Sequence, residues 1–290
     1  MYNTAIIVVL FAAMLESLII IVGNIFTIFV FWKHRNKLMR TSLLLINLAV
    51  ADLLVGFTEP IALVPFDIAG HLEETSFNSA QNKNVSTAFQ VTFSFASVFF
   101  LVLISLERAY ALIWPLRHRV SDTKGYIYSA TIAWVAAISS GILTLLAVYD
   151  ILDFSYWIIG VGCVMFLCLV TISVSYLTIR TRLNSRVPVM ENTHNRANES
   201  QQNVKLSKTL FIAMTASLLF WIPGVIANAT YYVCLNCVSL IVFQIFNILR
   251  LTNSLVNPII YSFRIPMFRE TFKRMKRCKQ SREYTISYKP

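Results

Sequence analysis

The sequence predicts an all-α membrane protein, a seven-transmembrane helix bundle with a short amphipathic eighth helix, on three observations. Of its 290 residues, 57% are apolar and 13% charged, which is too apolar for a soluble globule of ordinary composition. Runs long enough to cross a bilayer, roughly 20 residues at 1.5 Å each, lie near 6–31, 42–68, 85–111, 126–148, 157–178, 209–233 and 240–263. The charge is segregated. Of 25 Lys and Arg, all but Lys83 and Arg250 fall between the first and second runs, the third and fourth (counting Arg108 at the inner end of the third), or the fifth and sixth, or in the tail from Arg264.

Seven spans put the termini on opposite sides, and cytoplasmic flanks retain positive charge. The expected protein is a multi-pass resident of the plasma membrane with its N-terminus extracellular and its C-terminus cytoplasmic. The net charge of +11 is then a topology signal and a contact surface for anionic membrane lipids, not evidence for nucleic acid. The start, Met1-Tyr2-Asn3-Thr4, lacks the basic region of a cleavable signal, so the first helix is expected to act as its own signal.

Taken in order, the elements form one bundle over 1–264, an amphipathic helix over 265–277 and a cytoplasmic tail over 278–290. The outer loop near 69–84 is polar, and Asn84-Val85-Ser86 is a glycosylation sequon at the membrane surface. Cys163 and Cys168 lie within the fifth span, where a thiol serves as a small apolar filler. Cys234 and Cys237 fall at the outer end of the sixth span, in oxidising surroundings, so a short intraloop disulfide is expected ahead of a metal or redox site. The inner loop around 184–203 is rich in Asn, Ser, Glu and Gln. The seventh span closes on Asn257-Pro258-Ile259-Ile260-Tyr261: a proline inside a helix removes a backbone donor and kinks it, and Asn257 and Tyr261, four apart, share a face. Beyond it, Met267, Phe268, Phe272 and Met275 recur at helical spacing between basic residues, the pattern of a helix lying on the inner leaflet. Cys278, just after it, is a palmitoylation candidate.

Polar groups inside hydrocarbon are expensive, so each is a functional candidate. They are Glu16, Asn24, Asn47, Asp52, Glu59, Arg250, Asn253 and Asn257. Gly23-Asn24, Asn47-Leu48-Ala49-Val50-Ala51-Asp52, Glu107-Arg108-Ala109-Tyr110, Trp134, Trp221-Ile222-Pro223 and Asn257-Pro258-Ile259-Ile260-Tyr261 stand in the right spans and order. Together they resemble the marker set of rhodopsin-like G-protein-coupled receptors, and the resemblance covers nearly the whole chain.

The resemblance implies a receptor that passes an extracellular small-molecule, lipid or peptide ligand's signal to a heterotrimeric G protein, with arrestin as a further partner. Arg108, held at rest by Glu107, would then face the G-protein cleft, with Tyr176 and Tyr261 rotating towards it. Tyr110 belongs to the same coupling set. Pro223 would bend the sixth helix so that its inner half, bearing Lys205 and Lys208, swings outward, and Trp221 would pass ligand contact to that bend. The family also places a sodium ion at Asp52; counting back from Arg108 puts Ser97 at the third-helix position, with Asn253, Ser254 and Asn257 from the seventh. These are hard oxygen ligands. A protonated, hydrogen-bonded Asp52 is the other reading.

Glu59 lies seven residues outward of Asp52 and Arg250 seven outward of Asn257, so an ion pair between them two turns above the sodium site is expected; an Arg250 anchor for an anionic ligand is the alternative. Glu16 has no assigned role. The expected pocket includes Glu59, Phe66, Phe89, Gln90, Ser94, Trp221, Asn228, Tyr231, Asn247 and Arg250.

The chain departs from the family where Lys83 stands at the usual third-helix cysteine, where the loop 149–156 has no cysteine, where Cys168 replaces a fifth-helix proline and where Ser217 lies below Trp221. The missing tether, short second outer loop and Cys-x-x-Cys pair look like melanocortin receptors. Asn257 to Phe272 looks as much like adenosine receptors, as does Asn228, which also begins a sequon. Lipid receptors for cannabinoids and lysolipids belong to the same cluster. No nucleophile, base and orienter set or metal triad stands at plausible spacing, so no enzyme is expected. A transporter or a non-signalling receptor-like scaffold is the competing class; the absence of an internal repeat argues against the transporter.

Overall fold

The computed structural model describes residues 4–34, 39–69, 77–184, 219–224, 240–265 and 267–274, with isolated positions between and beyond these; for 59–69, 77–84 and scattered positions such as Asn247 it describes the helical backbone alone. Among the described residues every regular element is a helix. In chain order they are Thr4–Lys33, Met39–Ala69, Phe77–Ile113, the short Pro115–Val120, Thr123–Val148, Phe154–Asn184 and Leu240–Arg264. Five of these are long and apolar enough to cross a membrane. Leu240–Arg264 is the seventh span and carries Pro258 inside it; of the sixth, residues 219–224 are helical. Residues 267–274 form a further helix beyond Arg264.

The helices overrun the apolar runs, the third beginning at Phe77 rather than Val85. A helix satisfies its own backbone polar groups, so it need not stop where the hydrocarbon does. The short helix after the third span opens with Pro115 just inside its first turn, a position where the missing proline N–H costs nothing. The fourth span is capped by Asp122, whose carboxylate accepts from Lys124 N at 3.3 Å. Its other end closes with Ile151 N donating to Leu146 O at 2.9 Å and Asp150 N to Ala147 O at 3.3 Å. That pair of bonds, with Asp150 at φ 56°, turns the chain within a few residues into the fifth span.

The third helix is the axis of the bundle, packing against the second, fourth and fifth spans, while the first packs against the second and seventh. Small residues permit the closest crossings. On the fourth span, Ala130, Ala133, Ala137, Gly141, Thr144 and Ala147 are buried at helical spacing, and a Cβ on Gly141 would collide with the Thr92 side chain and come within 3.1 Å of Ala88 O. A Cβ on Gly23 would meet Pro258 Cβ at 3.1 Å, so the first span seats directly against the proline of the seventh. Such small-residue crossings are how helices associate when lipid removes the hydrophobic drive.

Polar ties reinforce them. Asn24 Nδ2 donates to Ile20 O at 3.0 Å and across the interface to Ser254 O at 3.2 Å; Trp134 Nε1 donates to Asn47 Oδ1 at 3.0 Å. At one end of the bundle Phe31, Tyr261 and Phe268 meet edge-on, with Phe31 5.8 Å from Tyr261 and 5.2 Å from Phe268. Phe268 is buried and Phe272 exposed, so the last helix is pinned to the first and seventh spans by one face. Ile132, Phe166 and Leu167 point outward, as suits surfaces facing lipid. Cys168 is the buried filler expected; Cys163 instead turns outward, and both are free thiols.

Candidate functional site

The buried polar candidates sit along one seam. At its centre Asp52, fully buried on the second span, accepts from three side chains: Ser97 Oγ to Oδ1 at 2.7 Å, Ser254 Oγ to Oδ1 at 2.8 Å and Asn257 Nδ2 to Oδ2 at 2.8 Å. One carboxylate thereby ties the second, third and seventh helices. Asn253 Oδ1 and Asn257 Oδ1 are buried with no hydrogen-bond partner. Buried polar atoms are rarely left so, and an orphaned amide oxygen on Asn257, whose Nδ2 meets the carboxylate beside two hydroxyls, makes an oxygen-rich set of the kind a small hard cation takes.

Towards the cytoplasmic end expected from the charge pattern, Arg108 is buried and clasped by its neighbour: Nε lies 2.5 Å from Glu107 Oε2 and Nη2 donates to Oε1 at 2.7 Å. This two-pronged charge-assisted bond is the strong kind. Two groups missed by sequence reasoning complete it. Thr41, near the start of the second span, donates to Glu107 Oε1 at 3.1 Å and bonds Arg108 Nη2; His118, on the short helix, donates to Glu107 Oε1 at 3.0 Å. The signal for His118 was Pro115, whose place at a helix start makes the segment fold back under the third span. Tyr110 stands beside this cluster, its ring 6.0 Å from that of His118. Tyr261 is buried among Phe31 and Phe268, its hydroxyl without a partner, and Tyr176 on the fifth span is partly buried.

In the other direction along the seam, Trp221 is buried and its ring lies 6.0 Å from Phe95 of the third span. Arg250 Nη1 donates to Ser94 Oγ at 2.8 Å, and a Cβ on Gly224, beside Pro223, would lie 3.6 Å from Arg250 Cβ. Arg250 therefore lies among the third, sixth and seventh spans, next to Pro223. Glu16 finds a place: its Oε1 accepts from Thr252 Oγ1 at 2.7 Å, joining the first and seventh spans. Phe89 is half exposed and stacks on Phe93 at 6.1 Å, and Gln90 is partly buried. Lys205, Lys208, Asn228, Tyr231, Cys237 and Cys278 lie outside the described residues, as do the side chains of Glu59, Phe66, Asn84 and Asn247.

A helical membrane bundle with a buried carboxylate hub and a charge clasp at one mouth is the build of a transmembrane signal receptor. The model for the 7 transmembrane receptor (rhodopsin family) matches residues 23–261, and the chain belongs to that family. It is similar to trace amine-associated receptor 9 of Mus musculus, 27% identical over 288 residues covering 89% of this chain and 81% of the relative. It is also similar to adenosine receptor A2a of Homo sapiens, 27% identical over 299 residues covering 90% and 70%. Trace amine-associated receptor 5 of Homo sapiens is 26% identical over 293 residues, covering 92% and 84%. The protein is a G-protein-coupled receptor, a multi-pass membrane protein and not an enzyme, with a ligand and a G protein as its partners.

Proposed function

We propose that this receptor sits in the plasma membrane with its N-terminus outside, takes a small ligand between its helices, and signals by releasing the Glu107–Arg108 clasp. The observation that carries this is the burial of Arg108 against Glu107 and Thr41. An arginine kept from water by a neighbouring carboxylate can be clasped or turned to a partner, and a G protein that offers it acceptors selects the second. The sixth-helix bend at Pro223 moves the inner half of that helix, and Trp221 against Phe95 passes ligand contact to it. Tyr261, whose hydroxyl lacks a partner here, gains one by rotating towards Arg108.

Asp52 with Ser97, Asn253, Ser254 and Asn257 would hold a sodium ion; the unpartnered amide oxygen of Asn257 supports that fit. A bound cation would supply positive charge to a carboxylate buried in hydrocarbon and tighten three helices around it.

The basic inner loops and the helix at 267–274 would lie against anionic lipid, and arrestin is a further partner of the same inner face. Cys234 is disulfide-bonded, which supports the expected Cys234–Cys237 staple. Of the ligand classes weighed, an adenosine-like small molecule has support in the A2a likeness; a melanocortin-like peptide has none among the relatives described above.

Guanine-nucleotide exchange on a heterotrimeric G protein, measured with receptor in lipid nanodiscs, tests the reading. Exchange should exceed that of empty nanodiscs and fall to that background in Arg108→Ala, with the variant still folded. Parent-level exchange in Arg108→Ala overturns it.

A further inference from the structure

Resting on the clasp-release reading above, we propose that His118 is a proton sensor: it takes up a proton when Arg108 leaves Glu107, so that acidification on its side of the membrane favours the signalling state. The geometry is a shared oxygen. Glu107 Oε1 accepts from Arg108 Nη2 at 2.7 Å, from His118 Nε2 at 3.0 Å and from Thr41 Oγ1 at 3.1 Å, while Oε2 holds Arg108 Nε. The Glu107 side chain is 3% exposed and that of His118 22%, so water reaches the imidazole rather than the carboxylate. Among the described residues, the third helix presents to His118 the Glu107 and Arg108 pair and the Tyr110 ring, 6.0 Å away. The second helix adds the Thr41 hydroxyl on the shared oxygen, and on the short helix itself Arg117 is exposed. The side chains of Arg40 and Arg119 lie outside the described residues.

The sign follows from what the imidazole meets in each state. With the clasp closed, Glu107 is already answered by a guanidinium, and a second positive charge on its Oε1 would also stand against Arg108. With Arg108 turned to a G protein, the same carboxylate is left buried and unanswered, which is costly unless a cation replaces the one that left. Histidine is the side chain whose charge changes within the pH range of cells, and an opposite charge at hydrogen-bond distance favours its charged form. Contacts that His118 keeps in both states cancel from the difference. The open state therefore binds the extra proton more tightly, and by reciprocity protons favour the open state. One coupled proton changes the open-to-closed ratio by at most about tenfold per pH unit.

Two measurements on the full-length receptor in nanodiscs test this. In the first, nucleotide exchange on a G protein, with the background of empty nanodiscs subtracted at each pH, is compared between the parent and His118→Gln, whose amide keeps a donor for Glu107 but cannot take the charge. The ratio of parent to variant should rise several-fold from about pH 7.5 to about pH 6, the range in which histidine changes charge. Glu107→Gln, with no carboxylate to answer, should lose the same dependence. The second needs no G protein. Histidine ring NMR signals, with that of His118 assigned by its loss in His118→Gln, are followed against pH in the parent and in Arg108→Ala, where the clasp cannot close. His118 should stay protonated to a pH about one higher in Arg108→Ala, the low end of what an opposite charge does at this range; Arg108→Met serves if the alanine variant does not fold. In a receptor that drives exchange, a parent-to-variant ratio that is flat or falls on acidification overturns the proposal. Equal titration midpoints in the parent and the Arg108 variant overturn it too. So does a pH response that survives in His118→Gln and is lost in Glu107→Gln, since the carboxylate itself then takes the proton. A raised midpoint in a receptor that drives no exchange at any pH upholds the proton coupling and fails the receptor reading instead.

Discussion

Asp52 accepts from side chains on two other helices, so a change there is felt by three spans together. Asp52→Asn keeps the shape and removes the charge that a cation would answer. In the parent, replacing sodium with N-methylglucamine should lower the thermal midpoint; at sodium about 100 times its Kd, linkage amounts to about 2.7 kcal/mol. Asp52→Asn should show no sodium dependence, and a parent indifferent to sodium rules the cation out. The clasp at Arg108 makes a second prediction. Glu107 holds the guanidinium with both oxygens and is itself held by Thr41 and His118. Glu107→Gln should raise ligand-free nucleotide exchange several-fold. His118→Ala removes one bond of about 1.5–3 kcal/mol, the range for hydrogen bonds to charged groups, and should raise it less; unchanged basal exchange in both would mean that the clasp is not what keeps the receptor quiet.

Helix contacts in this bundle depend on what is missing from a side chain as much as on what is present. Gly141 allows the fourth span to lie on Thr92 and Ala88 of the third, and Gly23 allows the first to lie on Pro258. Gly141→Val should force these backbones apart and destabilise by about 1–3 kcal/mol, the usual cost of overpacking, measured as a lower unfolding midpoint in detergent. Trp134→Phe keeps the ring against Phe100, 5.6 Å away, but leaves Asn47 Oδ1 without its donor, and should cost about 1 kcal/mol. A midpoint unchanged in Gly141→Val would show that the third and fourth spans separate freely. At this scale the sequence was only half legible. Apolar run length marked the spans, but the short helix Pro115–Val120 escaped notice because six residues are too few to show a period.

Across the whole molecule the apolar belt and the polar seam divide the work. Ile132, Phe166 and Leu167 face outward, while Glu16, Asp52, Glu107, Arg108 and Arg250 meet partners inside. Sidedness is the prediction that belongs here. With the basic residues other than Lys83 and Arg250 gathered at alternate connections and the tail, a protease added to intact cells should leave an epitope at residue 290 untouched and digest it only after permeabilisation. Digestion without permeabilisation would reverse the orientation. The buried polar residues of the spans were visible in the sequence because a charge or amide within an apolar run stands out on its own. Their partners were not: nothing along the chain tells that Arg250 meets Ser94, 156 positions away, or that Glu16 meets Thr252.

Composition and one-dimensional spacing by themselves determined the membrane class, the number of spans, their expected sidedness and the polar residues that hydrocarbon makes costly, since each depends on how far a local stretch can shed water. Which of those polar residues touch was decided only by the tertiary structure. Helix rotation and register set that, and they are fixed by close crossings such as Gly23 on Pro258 and Gly141 on Thr92, where a single added methyl group would move every contact above and below.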